Sequence, residues 1–221
     1  MAFISVFDVL GPNMIGPSSS HTAGACVISF LARKMIGGNP KKVEFILYGS
    51  FANTYKGHGT DRALLGGLMG FGTDDVRIRD SFHIASERGI EYKFTPNSEL
   101  TEIHPNTVDV CMEDEEGRKV TVRGESLGGG KVRIVKIDQV DIDFSGEYSA
   151  IIAVHMDRPG VIAYITKALS ENNINIAFMK LYRESKGNRA YTIIESDERI
   201  PDDIKVGLFK NKNISQVMIV Q

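Results

Sequence analysis

The chain has 221 residues, 42% of them hydrophobic and 24% charged, which is the profile of a folded globular protein long enough for one large or two small domains. A formal net charge of -2 gives no broad positive field, which argues against a nucleic-acid backbone as main partner. The longest apolar runs fall far short of the roughly 20 residues that cross a bilayer, and MAFISVFDVL lacks the basic segment and cleavage site of an export signal, so no membrane partner and a cytoplasmic location are expected.

The N-terminal region reads as mixed α/β with short irregular connections. After GPSSSHT, the stretch AGACVISFLARKMIGG puts Ala25, Ile28, Leu31, Ala32 and Met35 on one helical face and stops at Gly37-Gly38. VEFILYG follows as a buried strand. A glycine-rich run, GSFANTYKGHGTDRALLGGLMG, leads into a second helix from about Thr60. Strands are expected near 91–95, 107–113, 118–125 and 131–137. The acidic, weakly patterned segment DQVDIDFSGEY, 138–148, is expected to join a domain over 1–140 to a second over 149–221.

The second region is more regular. AIIAVHM (150–156) reads as a strand, DRPG as a turn, and VIAYITKALSENN as a helix in which Val161, Ile162, Ile165, Ala168 and Leu169 repeat at helical spacing before Asn172-Asn173 closes it. INIAFMKLYR (174–183) is a second strand, ESKGN a turn, and RAYTIIES (189–196) a third strand. PDDIKVGLFK opens as a helix and ISQVMIV (214–220) is the last strand. The order βαββαβ is the ferredoxin-like arrangement, an antiparallel sheet with both helices on one face. With Asp157, Arg158, Pro159 and Gly160 opening its first helix, this region resembles an ACT domain, the small-molecule regulatory module of amino-acid metabolism. Because its sheet has exposed edges and a face without helices to cover it, this domain is expected to pair with a copy of itself, with a small effector between copies near Arg158, Gly160 and Asn175. The plain alternative is a dimerisation domain without a ligand.

Three clusters invite chemistry. In GPSSSHTAGA (16–25) one serine suffices to cap a helix start, whereas Ser18, Ser19 and Ser20 with His21 and Thr22 exceed that need. Together with the helix dipole they offer donors for a carboxylate or phosphate, the alternative being a polar cap and no more. KGHGTDRA (56–63) sets Lys56, His58, Thr60 and Asp61 among glycines at another helix start, where Thr60 or Asp61 can cap. Each loop holds a histidine, whose ordinary pKa of about 6.5 permits proton transfer at neutral pH, although a lone exposed histidine is more often solvated. GESLGGGKVRI (124–134) fails as a phosphate loop, because Val132 follows Lys131 and no helix comes next. Its glycines mark a bulge or a place where another chain comes close. Cys26 and Cys111, with no Cys-x-x-Cys spacing, are too few for a metal cluster and are expected to be buried, inert thiols. No metal site is expected on this chain.

GPSSSHTAGA, YGSFANTYKGHGTDRALLGG and ESLGGGKVRI, in that order and followed by the ACT-like tail, resemble the beta subunits of the iron-sulfur-dependent L-serine dehydratases over essentially the whole chain. The resemblance implies an α+β protein whose N-terminal domain is similar to the allosteric substrate-binding domain of some phosphoglycerate dehydrogenases. It implies a two-chain L-serine ammonia-lyase that turns L-serine into pyruvate and ammonia, in serine catabolism and gluconeogenesis, without pyridoxal phosphate. A 4Fe-4S cluster would sit on a cysteine-rich alpha subunit, one iron acting as Lewis acid on the serine hydroxyl while a base removes the α proton. Ser18, Ser19, Ser20, His21, Thr22, Thr60 and Asp61 would bind substrate, and His58 or His21 would carry the proton. These loops would line the substrate cavity at the contact with the alpha chain, leaving this chain inactive alone. The rival readings are a purely regulatory small-molecule-binding subunit and an assembly protein.

Overall fold

The computed structural model describes residues 13–221 apart from 98, 100 and 101. It divides into two compact units, Met1–Asp138 and Gln139–Gln221.

In the first unit a π-helical turn, Ser19–Gly24, runs directly into helix α1, Ala25–Ile36. Then come strand β1, Pro40–Tyr48, helix α2, Gly49–Thr54, and helix α3, Thr60–Leu68. A 3-10 turn over Val76–Asp80 precedes α4, Ser81–Glu87. Four strands follow: β2, Glu91–Asn97; β3, Thr107–Asp114; β4, Lys119–Gly128; and β5, Lys131–Ile137. The expected apolar stripe of α1 is the buried one, and Gly37, at φ 74°, ends the helix as glycine does. Helix α2, the 3-10 turn and α4 have too few apolar repeats to be read from the sequence.

Within this unit the strands pair in the order β2-β1-β3-β4-β5, with β1 and β2 parallel and the other pairs antiparallel. The parallel pair needs a crossover, which α2, α3 and α4 supply. A buried polar network pins three strands in register: Arg123 of β4 donates to both carboxylate oxygens of Asp109 on β3, at 2.6 and 2.7 Å, and the Tyr48 hydroxyl of β1 donates to the same group at 2.8 Å. Helix α1 packs on β4 and on α3 at distances only glycine permits. A Cβ on Gly124 would stand 2.4 Å from Ile28 Cγ2, and one on Gly67 would stand 2.1 Å from the Cys26 carbonyl oxygen.

The second unit begins with strand β6, Val140–Phe144, inside the acidic stretch where the joint between domains is expected. Its alternating buried and exposed residues were masked by the acidic composition, and Lys180 holds it to the rest of the unit through Asp143 at 2.6 Å. Strand β7, Ser149–Met156, leads to α5, Val161–Glu171, then β8, Phe178–Arg183, β9, Arg189–Ser196, α6, Ile204–Leu208, and β10, Ile214–Val220. The sheet order β10-β7-β9-β8 is antiparallel throughout. Val161, Ile165 and Leu169 of α5, with Ile204 and Leu208 of α6, bury against Ile151, Ala153, Ile194, Val217 and Ile219.

The strand expected from 174 starts only at Phe178. Asn173 takes φ 54° and the Ile174 N–H turns back to the Leu169 carbonyl, so Ile174 plugs the core at the helix end instead of joining the sheet. Edge strand β8 leaves Phe178, Met179 and Leu181 exposed.

Substituting Gly67→Ala drives a methyl into the backbone of α1 and is expected to destabilise the chain by about 1 to 3 kcal/mol or more. Gly207→Ala, in a helix with nothing within 4 Å of the added methyl, is expected to be neutral or to stabilise by up to about 1 kcal/mol. Denaturant unfolding of the two variants side by side checks the contrast.

Candidate functional site

The serine-rich loop is a wide helical start held from several sides. Ser18 is its cap: its Oγ accepts the His21 N–H at 3.1 Å and lies 3.5 Å from His21 Nδ1. The Ser18 carbonyl accepts from both Thr22 N–H and Ala23 N–H, which widens the turn into π geometry, a form often found at functional sites. The hydroxyls of Ser19 and Ser20 make no hydrogen bond among the described residues, and both side chains are half-buried.

The second loop is tied to the first by one buried bond. Thr22, 2% exposed, donates from Oγ1 to the His58 carbonyl at 3.0 Å. Gly16 makes room for it, since a Cβ there would be 2.4 Å from Thr22 Cγ2. The tie brings the His21 and His58 rings to a centroid distance of 4.8 Å. His21 Nε2 shares a 2.9 Å hydrogen bond with Ser50 Oγ at the start of α2, and Phe51 meets the ring edge-on at 5.4 Å. The His58 ring has no such partner: its Nδ1 is buried without a hydrogen bond.

The third motif closes the site from the sheet. Ser126 Oγ donates to the Ser20 carbonyl at 2.9 Å, and a Cβ on Gly24 would stand 2.0 Å from that Oγ. The expected bulge is present where the β4–β5 register shifts between Ser126 and Gly128, and Gly128, Gly129 and Gly130 all have positive φ. The Ser126 N–H donates to the Asn106 carbonyl at 2.9 Å, and the Ser50 N–H to the Pro105 carbonyl at 2.7 Å. Asn106 Oδ1 is buried and unpartnered. Ser50, Asn106 and Ser126 therefore belong to the site although sequence reasoning passed them over. Ser50 and Ser126 lie inside two of the motifs that carry the resemblance, next to Gly49 and close to Gly128, whereas Asn106 carries no such signal.

The other candidates lie as follows. Thr60 is fully buried, with its Oγ1 unpartnered, and does not cap α3; Gly59, at φ 67°, occupies the cap position and makes no side-chain bond. Asp61 does not cap either; its Oδ1 accepts from the Arg62 N–H at 2.8 Å, and burial pushes its carboxyl above the ordinary range against that bond and the charges of Arg62 and Lys56. In the second unit Arg158, Gly160 and Asn175 are all exposed. Gly160 caps α5 at φ 87°, and the Asn175 N–H donates to Glu198 at 3.2 Å. Asp157 accepts from the Gly187 N–H and from Arg183, which hold its carboxyl below the usual range. Arg158 and Asn175 share no hydrogen bond among the described residues. Cys26 is buried against the Phe71 carbonyl, with its thiol pushed up to about 12, while Cys111 is half-buried and also raised by burial. Among the described residues no group of three His, Cys, Asp or Glu side chains could hold a metal, and no helix is long and apolar enough to cross a membrane.

Residues 5–139 match the family model of the serine dehydratase beta chain. The chain belongs to that family. Residues 148–205 match the ACT domain model. A probable L-serine dehydratase beta chain of Bacillus subtilis is 43% identical, over 98% of both chains. The L-serine dehydratase beta chain of Peptoniphilus asaccharolyticus is 42% identical over 93% of this chain and 92% of its own. A D-3-phosphoglycerate dehydrogenase of Archaeoglobus fulgidus is 31% identical over 67% of this chain and 28% of its own length, in accord with the resemblance noted for the N-terminal domain. For this serine dehydratase beta-chain family member, the three quoted motifs are the three elements that meet around His21 and His58.

Burial first, and then the neighbouring His58, hold His21 below the ordinary histidine value of 6.5. The neutral ring is thus the form folding favours. Its contribution to stability is complete above the unfolded value and is lost as pH falls through the lower folded one. An NMR titration of the His21 ring is expected to give a midpoint below 6.5 that rises part of the way back in His58→Asn; a midpoint at or above 6.5 in the unaltered chain would contradict the packing described.

Proposed function

We propose that this chain is the beta subunit of a two-chain L-serine dehydratase, supplying substrate-binding and proton-transfer groups to a cysteine-rich alpha subunit. The observation that carries the reading is the pair of imidazoles at 4.8 Å, one oriented by Ser50 and one without a partner, in a chain of this family. Ser19 and Ser20, with free hydroxyls at a helix start, hold the carboxylate of serine. His58 takes the proton from the α carbon, and His21 lies beside it with its ring fixed. Thr22 acts by joining the loops, its own hydroxyl being spent on that bond. Thr60, fully buried with its Oγ1 unpartnered at the start of α3, presents no surface to a substrate.

The residues of this chain do not fit an iron-sulfur cluster. Its two thiols lie far apart in sequence, one buried against a carbonyl and both pushed away from the thiolate form a cluster needs. The 4Fe-4S cluster is accordingly assigned to the alpha chain. Free thiols of this kind suit a cytoplasmic protein. The exposed apolar edge strand β8 is the surface through which the ACT domain pairs with a copy of itself, with Arg158, Gly160 and Asn175 at an effector site there.

The test uses the reconstituted pair with cluster content measured. Ser19→Ala or Ser20→Ala removes a donor to a charged group, on the order of 1.5 to 3 kcal/mol, and is expected to weaken serine binding with little change in turnover. His58→Asn is expected to lower turnover by roughly a hundredfold or more with serine binding kept. Retained affinity and turnover with loss of an effector response alone would make the loop regulatory. The isolated chain is expected to bind no iron and to be inactive on serine; stoichiometric iron with full turnover in this chain alone would overturn the two-subunit reading.

A further inference from the structure

Beside His58 lies a cavity of about 240 Å³ that the serine hydroxyls do not line. Ile15, Pro17 and Ile78 form its apolar wall, and Arg62 and Arg79 bring two cations to it. Neither arginine forms a salt bridge among the described residues, although the Asp61 carboxylate acts on Arg62 at longer range. Arg62 is nevertheless held in place: its Nη1 donates to the Arg79 carbonyl at 2.9 Å, and its guanidinium lies 5.7 Å above the Phe82 ring. The nearest carboxylate in sequence, Asp61, gives its Oδ1 to the Arg62 backbone N–H instead. Two exposed guanidinium groups, neither in a salt bridge among the described residues and one of them held by the Arg79 carbonyl, at a small and mainly apolar cavity offer the donors of a carboxylate receptor.

The lining also discriminates. It holds no Asp or Glu that could pair with an ammonium group, and the His58 and Arg79 carbonyls beside it already accept from Thr22 and Arg62. An α-amino acid would bring its ammonium against two cations, which costs affinity. A short acid without that group meets only attraction for its head and apolar wall for its stem. We propose that this cavity is a binding site for a small 2-oxo acid, the class of compound that deamination of an α-amino acid leaves, and that its occupation blocks the approach to His58. The blocking step extends the function proposed above, whereas the binding is a property of this chain alone.

Calorimetric titration of the full chain with pyruvate, L-serine and inorganic phosphate, at fixed ionic strength, tests it. Pyruvate is expected to bind saturably. Arg62→Gln and Arg79→Gln are each expected to weaken it about tenfold or more, and Arg62→Lys, which keeps the charge but not the fork, to recover part of the loss. Arg33→Gln, which removes a like charge bonded to Asn39 outside the cavity, is expected to leave it unchanged. The proposal is overturned by absent pyruvate binding, by equal binding to the unaltered chain and both glutamine variants, by tighter phosphate binding, or by serine binding that falls as steeply in Arg62→Gln. Both arginines are exposed, so their variants are expected to keep the fold, which circular dichroism checks. A failure of the catalytic reading, seen only in turnover of the reconstituted pair, leaves these outcomes untouched.

Discussion

The contact on which the site depends is the buried hydrogen bond from Thr22 to the His58 carbonyl, spanning 36 positions of sequence. A hydroxyl this deep must be satisfied, because a buried polar group left unpaired costs on the order of 1 to 3 kcal/mol. The bond therefore acts as a latch between two helix starts that would otherwise be separate surface features. With it closed, His21 and His58 become neighbours and Gly16 is fixed as the residue that leaves space for the latch.

The latch would be of little use on flexible loops. It holds because both helices that follow are pressed together at backbone distance through Gly67, and α1 is pressed onto β4 through Gly124. Overpacked positions of this kind have no slack, so the two helix starts are placed by the core and not by the loops themselves. The β4–β5 hairpin adds the third support, since Ser126 grips the carbonyl of Ser20 from the sheet side. Binding groups carried on such supports keep their geometry before any ligand arrives, which is what orientation of a substrate requires.

Much of this was legible in the residues, and the remainder failed for identifiable reasons. The helical stripe Ala25 to Met35 and the βαββαβ tail announced themselves through periodicity, and the serine and histidine clusters through composition. What the pattern could not reveal was pairing across the chain. Ser50 reads as an ordinary serine after a glycine until His21 is set beside it, and Ser126 as a strand residue until the Ser20 carbonyl reaches it. Thr60 misled in the opposite way: its chemistry suited a cap, but Gly59 in a left-handed conformation took that position and Thr60 turned inward. Strand β6 was hidden because acidic residues at every second position made a half-buried strand look like a solvated joint.

The two histidines, equivalent in the sequence, are set apart by what surrounds them. His21 has one nitrogen bonded to Ser50 and the other near the Ser18 hydroxyl, and burial opposes its charging. A ring engaged at both nitrogens is held in one orientation and is poorly placed to accept a proton from a new partner. His58 has no hydrogen bond from its ring among the described residues, yet its backbone is fixed by the latch. Burial first and the neighbouring imidazole second hold His21 toward its neutral form. The proposed division of roles between a positioned imidazole and a free one thus rests on the two serines that engage His21 and on the lack of any hydrogen bond to the His58 ring among the described residues.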